Sequence, residues 1–338
     1  MKEIEQLDYY QDSINFILDT QADDGSICWE QNKKLDPWDH IESAMALTVA
    51  GQTEAAKKAF EWMQSNQESQ GGWFSEYKSG LPSKKRIETN FAAYLCVGIW
   101  HFYLVTKDKS FVEEYYPVLD RAMEFVISMQ TDSGDVLWAL DEKGSKLDDS
   151  LITGCSSIYK SLECFNAIKK LLNKDLGNLE DQMRSLRGAI TNKPERFDRG
   201  WKSKERYSMD WYYPILCGVI TGKAGLERFQ HKEKEFIVEG LGCKCVVEEP
   251  WVTIAESSEL VMALANMGEI ERAKEIFSWL HQWKDPKDNL YWTGYVYPDK
   301  AFWPIEKPTW TAAAVLLAAD TLYKFTDGSE LFLRDWSK

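Results

Sequence analysis

The sequence predicts an all-α fold, an (α/α)6 toroid of six helical hairpins with inner and outer helix rings, and three observations carry it. Four times a run with helical spacing ends in a glutamine, a short Gly- or Asp-rich turn and a tryptophan: Gln21 to Trp29, Gln67 to Trp73, Gln130 to Trp138 and Gln282 to Trp292. Repetition at this scale marks stacked copies of one supersecondary unit. Six other segments start polar and aromatic and continue apolar on nearly every side, and such a helix must be surrounded by protein. Each is expected to be preceded by an amphipathic, one-sided helix, which gives units of about 56 residues. The competing arrangement is an open solenoid of helix pairs. Six is a number that closes, and neither end of the chain reads as a polar capping repeat.

The outer helices show apolar residues at spacings of three and four. The first carries Tyr10, Ile14, Ile17 and Leu18, and the second Ala56, Phe60 and Met63. The third carries Phe111, Tyr115, Leu119, Met123 and Val126, and the last Ile270, Ala273, Phe277 and Leu280. Such a stripe faces the core on one side only. The inner helices are expected to start at Pro37, Ile87, Asp148, Ser208, Trp251 and Pro308. The fourth and fifth units lack a clean link. Residues 196–201 hold a worn copy, and residues 236–249 are expected to hold short extended pieces around the β-prone Cys245-Val246-Val247.

Composition narrows the function. A chain of 338 residues, 44% apolar, can bury one large core, and a closed repeat array keeps residues 1–338 in a single domain. The net charge of −14 opposes nucleic acid and anionic membrane as partners. Residues 1–8 carry no apolar signal region, and the longest greasy stretch, residues 91–105, is too short to span a bilayer. Seven scattered cysteines suit a reducing, cytoplasmic setting. Cys243 and Cys245 have no third ligand at metal spacing, so no metal is expected. No cofactor is expected either, since no Gly-rich phosphate loop occurs. The expected partner is a small molecule in a central cavity, and oligomeric state is left open.

The Gln-turn-Trp links resemble the repeats of the terpenoid cyclase and protein prenyltransferase superfamily, an α/α toroid. The likeness covers most of the chain and includes Trp38-Asp39-His40 and residues 209–213. It is similar to bacterial sequences called prenyltransferase-like, a name for a squalene cyclase-like repeat rather than an activity. The same toroid is shared by six-hairpin glycosidases, lyases and sugar epimerases.

If the hairpins close in one sense, the inner-helix N-termini meet at one end and line one cavity. Its expected reactive carboxylates are Asp39, Asp210 and Glu259, with Glu256 in reserve. The expected substrate contacts are Trp38, His40, Glu42, Glu88, Asn90, Asp148, Asp149, Trp211, Tyr212, Trp251, Thr253, Glu306 and Trp310. Capping competes for several of these. Thr253 to Glu256 is a capping-box pattern, Asp39 to Glu42 has the same spacing, and Asp210 sits where an N-cap is expected. Glu259 lies beyond capping reach, followed by apolar residues, so its carboxyl is expected to be desolvated. His40 is expected to act as a base or as a structural residue. The link tryptophans are expected in the core.

Carboxylates beside aromatic faces suit acid–base chemistry on a sugar-like, polyhydroxylated substrate, by hydrolysis, elimination or epimerisation. The alternatives are a terpenoid cyclase or prenyltransferase-like enzyme acting on an isoprenoid, and a non-catalytic binding ring. The cyclase motif is incomplete, because Asp39-His40-Ile41-Glu42 has Ile41 where the proton donor belongs. The prenyltransferase zinc ligands lack counterparts. An enzyme should show a cavity carboxylate of displaced pKa, and a scaffold a filled centre. An isoprenoid site should show more rings than carboxylates.

Overall fold

A computed structural model describes residues 3–338. Among them the outer helices are α1 (Gln11–Thr20), α3 (Thr53–Ser65), α5 (Lys109–Ser128), α7 (Leu179–Asn192), α9 (Gly222–Phe236) and α11 (Ile270–Leu280). The inner helices are α2 (Pro37–Val49), α4 (Thr89–Thr106), α6 (Ile152–Leu171), α8 (Ser208–Leu216), α10 (Ile254–Asn266) and α12 (Thr309–Tyr323). Each inner helix packs on the next, and α12 returns to α2, so the ring is closed. Closure is also written in the backbone. The Thr309 N–H donates to the Trp29 carbonyl at 2.7 Å, and its hydroxyl donates to the Cys28 carbonyl at 2.8 Å. Every residue of α2 is buried, as an inner helix requires.

The repeated glutamine has a clear physical task. Gln21 Nε2 donates to the Gly25 carbonyl of its own turn and to the Ala55 carbonyl of α3, at 3.1 and 2.9 Å. Gln67 does the same to Gly71 and to Val118 of α5, and Gln130 to Gly134 and Gln182 of α7. One side chain thus folds the turn and ties it to the next outer helix. Gln282 departs, donating to Gly240 and Trp279 instead. The turn glycines make this approach possible. Gly25 sits at φ +90°, and a Cβ there would stand 2.0 Å from the Lys58 carbonyl oxygen. Gly25→Ala is expected to lower stability by about 3 kcal/mol, through a disallowed φ and a backbone clash. The urea midpoint measures this, and a midpoint equal to wild type would refute the role given to the turn.

Two five-stranded antiparallel sheets flank the ring end at which the inner helices begin. The first runs β1 (Lys34–Leu35), β2 (Phe74–Lys78), β3 (Leu81–Glu88), β4 (Ala139–Leu140), β5 (Lys146–Leu147). The second holds β6 (Ile237–Val238), β7 (Gly242–Lys244), β8 (Trp251–Thr253), β9 (Gly294–Val296) and β10 (Ala301–Phe302). The extended pieces expected over residues 236–249 are β6 and β7, although Cys245 to Val247 lie outside them. The first sheet was not foreseen, because β1, β4 and β5 span two residues each and the longer β2 and β3 do not alternate apolar with polar residues.

The sheets displace several expected helix starts. Residues 87–88 finish β3, and Trp251 to Thr253 form β8, so α4 and α10 begin later than expected. Asp148 and Asp149 precede α6 altogether. The link tryptophans also divide. Trp73 is buried in the core, its indole N–H donating to the Met63 carbonyl. Trp29, Trp138 and Trp292 are only half-buried, which corrects the core expectation for all three. Among the described residues no helix is long and apolar enough to cross a membrane.

Candidate active site

First-turn residues of α2, α4, α6, α8 and α12 converge on a cleft of about 260 Å³. Of the expected residues, Trp38, Asp39, Asn90 and Trp310 line it. Trp29, Asp36, Phe91, Thr153 and Met209 line it too, and sequence reasoning missed them. Asp36 carried a usable signal, since an aspartate just before Pro37 is a helix N-cap pattern. Trp29 reaches the cleft because the first link runs back across the ring mouth, where it stacks on Trp310 at 6.5 Å between centroids.

Asp36 caps α2. One of its carboxylate oxygens accepts the Asp39 N–H at 3.0 Å, and the other accepts the Trp29 indole N–H at 3.0 Å. Asp39, the third residue of that helix, is 8% exposed. Burial, then the adjacent Asp36 and the nearby Glu42, push its carboxyl well above the usual carboxylate range. A buried acid whose surroundings favour the protonated form therefore lines the cleft.

Beneath the cleft lies a polar aromatic hub. Trp38 stacks on Tyr94 at 4.5 Å, and both donate to one oxygen of Glu42, at 2.8 and 2.9 Å. Burial raises Glu42 to about 7, although the hydrogen bonds from Trp38 and Tyr94 pull it down. Its other oxygen has no protein partner, and neither has the Trp310 indole N–H. Glu259 accepts from the hydroxyls of Tyr213, at 2.6 Å, and Tyr212. Burial, with Glu42 adding to it, pushes Glu259 far above its ordinary value. Glu259 is desolvated as expected, but it is a hub residue locked between two phenols. Tyr212 is fully buried with it.

Glu256 is the third residue of α10, one turn nearer the open end than Glu259 and 6% exposed. The capping box expected with Thr253 does not form. Thr253 is a strand residue paired to Cys243 and Gly294, and its hydroxyl has no partner.

Other expected contacts are placed elsewhere. His40 is fully buried, with Nε2 facing the Ala59 carbonyl at 2.8 Å and Nδ1 accepting the Ile27 N–H at 3.1 Å. This fixes a neutral tautomer that staples α2 to α3, and burial lowers the ring pKa to about 4. It is not a base oriented by a carboxylate. Trp211 stacks between Phe229 and Phe236 in the core and is not among the residues that line the cleft. Asp148 is exposed and pairs with Arg199 at 3.0 Å. Asp149 is buried but accepts the backbone N–H groups of Ser150, Arg199 and Gly200. Glu88 pairs with Arg86, and burial raises its pKa. Trp251 meets Trp303 on the second sheet, beside an apolar groove of about 550 Å³. Glu306 is half-buried, and its backbone carbonyl accepts from Thr293.

Asp210 parts company with Asp39. It is 4% exposed and lines a separate cavity of about 510 Å³, where burial raises it to about 6. It is the third residue of α8 rather than its cap. The expected trio of reactive carboxylates at one centre is therefore not assembled: Asp39 faces the cleft, Asp210 its neighbour, and Glu259 the hub.

Fold and site define a class, the six-hairpin (α/α)6 toroid of the glycosidase type. A solved wild-type glycosidase superposes with a TM-score of 0.76 at 11% identity, over 96% of this chain and 98% of that one. A sugar epimerase from a ruminal bacterium gives 0.69 at 12% identity, over 92% and 97%. A D-mannose isomerase gives 0.68 at 11%, over 95% and 98%. These likenesses establish the fold, and the resemblance to terpenoid cyclase repeats reaches no further than the toroid. No protein-family model matches the chain. It is 42% identical over 316 residues to the MMP endo-(1,4)-3-O-methyl-alpha-D-mannosidase of Mycolicibacterium hassiacum, covering 94% of this chain and 86% of that enzyme. The chain belongs to the family of that mannosidase, a family of carbohydrate-active enzymes.

Proposed function

We propose that the protein is an endo-acting glycoside hydrolase that cleaves 1,4-linked α-mannosides carrying 3-O-methyl groups. The observation that carries this reading is the 42% identity over 316 residues to the mannosidase, and the composition of the axial cleft fits it. Its walls are four aromatic rings, Trp29, Trp38, Phe91 and Trp310, and its acids are Asp36 and Asp39. More rings than carboxylates is the lining expected of an isoprenoid site, yet two buried acids stand among the rings. A methylated sugar reconciles both features. Each O-methyl group replaces a hydroxyl donor by an apolar surface, which aromatic walls accept, while the glycosidic oxygen still needs an acid.

In this reading the protonated Asp39 gives its proton to the glycosidic oxygen as the bond to the anomeric carbon breaks. Asp36, held by two N–H donors, stays beside it and opposes early loss of the proton. Glu256, on the first turn of α10, is the candidate for the second carboxylate, which meets the oxocarbenium-like carbon directly or through water.

The test is hydrolysis of α-1,4-mannooligosaccharides with and without 3-O-methyl groups, followed by mass spectrometry of the products. Internal cleavage is expected, with kcat/KM higher by about fourfold for each methyl group buried, from roughly 0.8 kcal/mol apiece. Intact oligosaccharides of both kinds after prolonged incubation would refute the reading.

A further inference from the structure

We propose that the cavity at Asp210 is a second carbohydrate site, which holds the stretch of a glycan chain lying beyond the axial cleft. The inference rests on the hydrolase reading above. The two cavities share a wall one residue thick. Ile152 and Asp210 face this one, while their chain neighbours Thr153 and Met209 face the axial cleft. A chain leaving the cleft over the starts of α6 and α8 arrives here.

The cavity has the parts of a built site. Asp210 is 4% exposed, and its nearest cation, Arg228, stands 3.9 Å away. Two of the Arg228 nitrogens are already engaged with the carbonyls of Trp211 and Asp210, which holds the guanidinium in place. Asp198 has one buried carboxylate oxygen without a partner. Trp201 is 37% exposed at the cavity and braced edge-on by Trp138 at 5.0 Å. The lip that carries these residues is tied down, because Asp149 accepts the N–H groups of Arg199 and Gly200, and Asp135 pairs with Arg196 at 2.9 Å. Little ordering therefore has to accompany binding.

Chemistry selects the occupant. Fixed carboxylates accept from hydroxyls, and an indole face takes the C–H face of a pyranose ring. A cationic amine would meet Arg228 already beside Asp210. Among the described residues no cluster of three His, Cys, Asp or Glu side chains offers a metal site. A neutral polyol is the better fit.

The experiment compares kcat/KM on a long and a short α-1,4-linked 3-O-methylmannose oligosaccharide, in wild type, Trp201→Ala and Asp210→Asn. Wild type is expected to favour the long chain. Either substitution should cut the long-to-short ratio about tenfold, the loss of one contact near 1.4 kcal/mol, through KM rather than kcat. Trp201 is a partly exposed loop residue, and thermal melts check that both variants fold. A ratio unchanged in the variants overturns the second site and leaves the hydrolase reading standing. If wild type cleaves neither chain, the hydrolase reading fails. Calorimetric titration with the long oligosaccharide then decides the site, which weaker binding to Trp201→Ala supports and equal binding overturns.

Discussion

Asp39→Asn is expected to lower kcat about a thousandfold, within the range general acids supply, and to leave the fold intact. Asparagine matches the size of the protonated side chain but has no proton to give. The backbone N–H at position 39 still donates to Asp36, so the cap of α2 survives. The stability sign follows from linkage. The Asp39 carboxyl titrates far higher in the folded chain than in the unfolded one, so the folded state binds the extra proton between those two values. Stability contributed by this residue therefore falls as pH rises through that window. Asn has no such penalty, and the variant should melt at or above the wild-type temperature at neutral pH. Steady-state kinetics and thermal melts on one preparation check both halves. Activity within tenfold of wild type would remove Asp39 from the acid role.

Glu259→Ala is expected to remove about 4 kcal/mol of stability, the largest loss of any single hub substitution. The variant leaves the buried hydroxyls of Tyr212 and Tyr213 without their acceptor and opens a cavity between α8 and α10. Glu259→Gln keeps the shape and one acceptor, and should lose about 1 kcal/mol. The pH dependence separates the two. Because burial raises the Glu259 carboxyl, wild type should lose stability as pH climbs from the ordinary carboxylate value of 4.5 toward the folded one. The Gln variant should show a flatter slope over the same interval. Urea titrations across pH measure this, and parallel slopes would mean that Glu259 does not titrate in the hub.

The hub also explains why an expected acid became a support. Glu259 and Glu256 share one face of α10, three residues apart, and only depth along the ring axis distinguishes them. At Glu259 that depth places two tyrosines of α8 around the carboxyl. The pattern of charge before an apolar run revealed desolvation correctly and could not reveal what filled the surroundings.

The sequence by itself determined the six hairpins and the alternation of half-buried and fully buried helices. Those properties follow from local periodicity and from three glutamine links, at Gln21, Gln67 and Gln130, whose bonding stays within a turn and the next outer helix. Only the tertiary structure decided which carboxylates share a cavity. A helix start that shifts by a few residues, as at Asp148 and Asp149 before Ile152, turns a side chain by about 100° per residue and carries it off the axis. The same holds for Trp29 and Asp36, which join Asp39 at the cleft because the first link and α12 close the ring over them. Proximity of that kind is a property of the closed circle and of no segment within it.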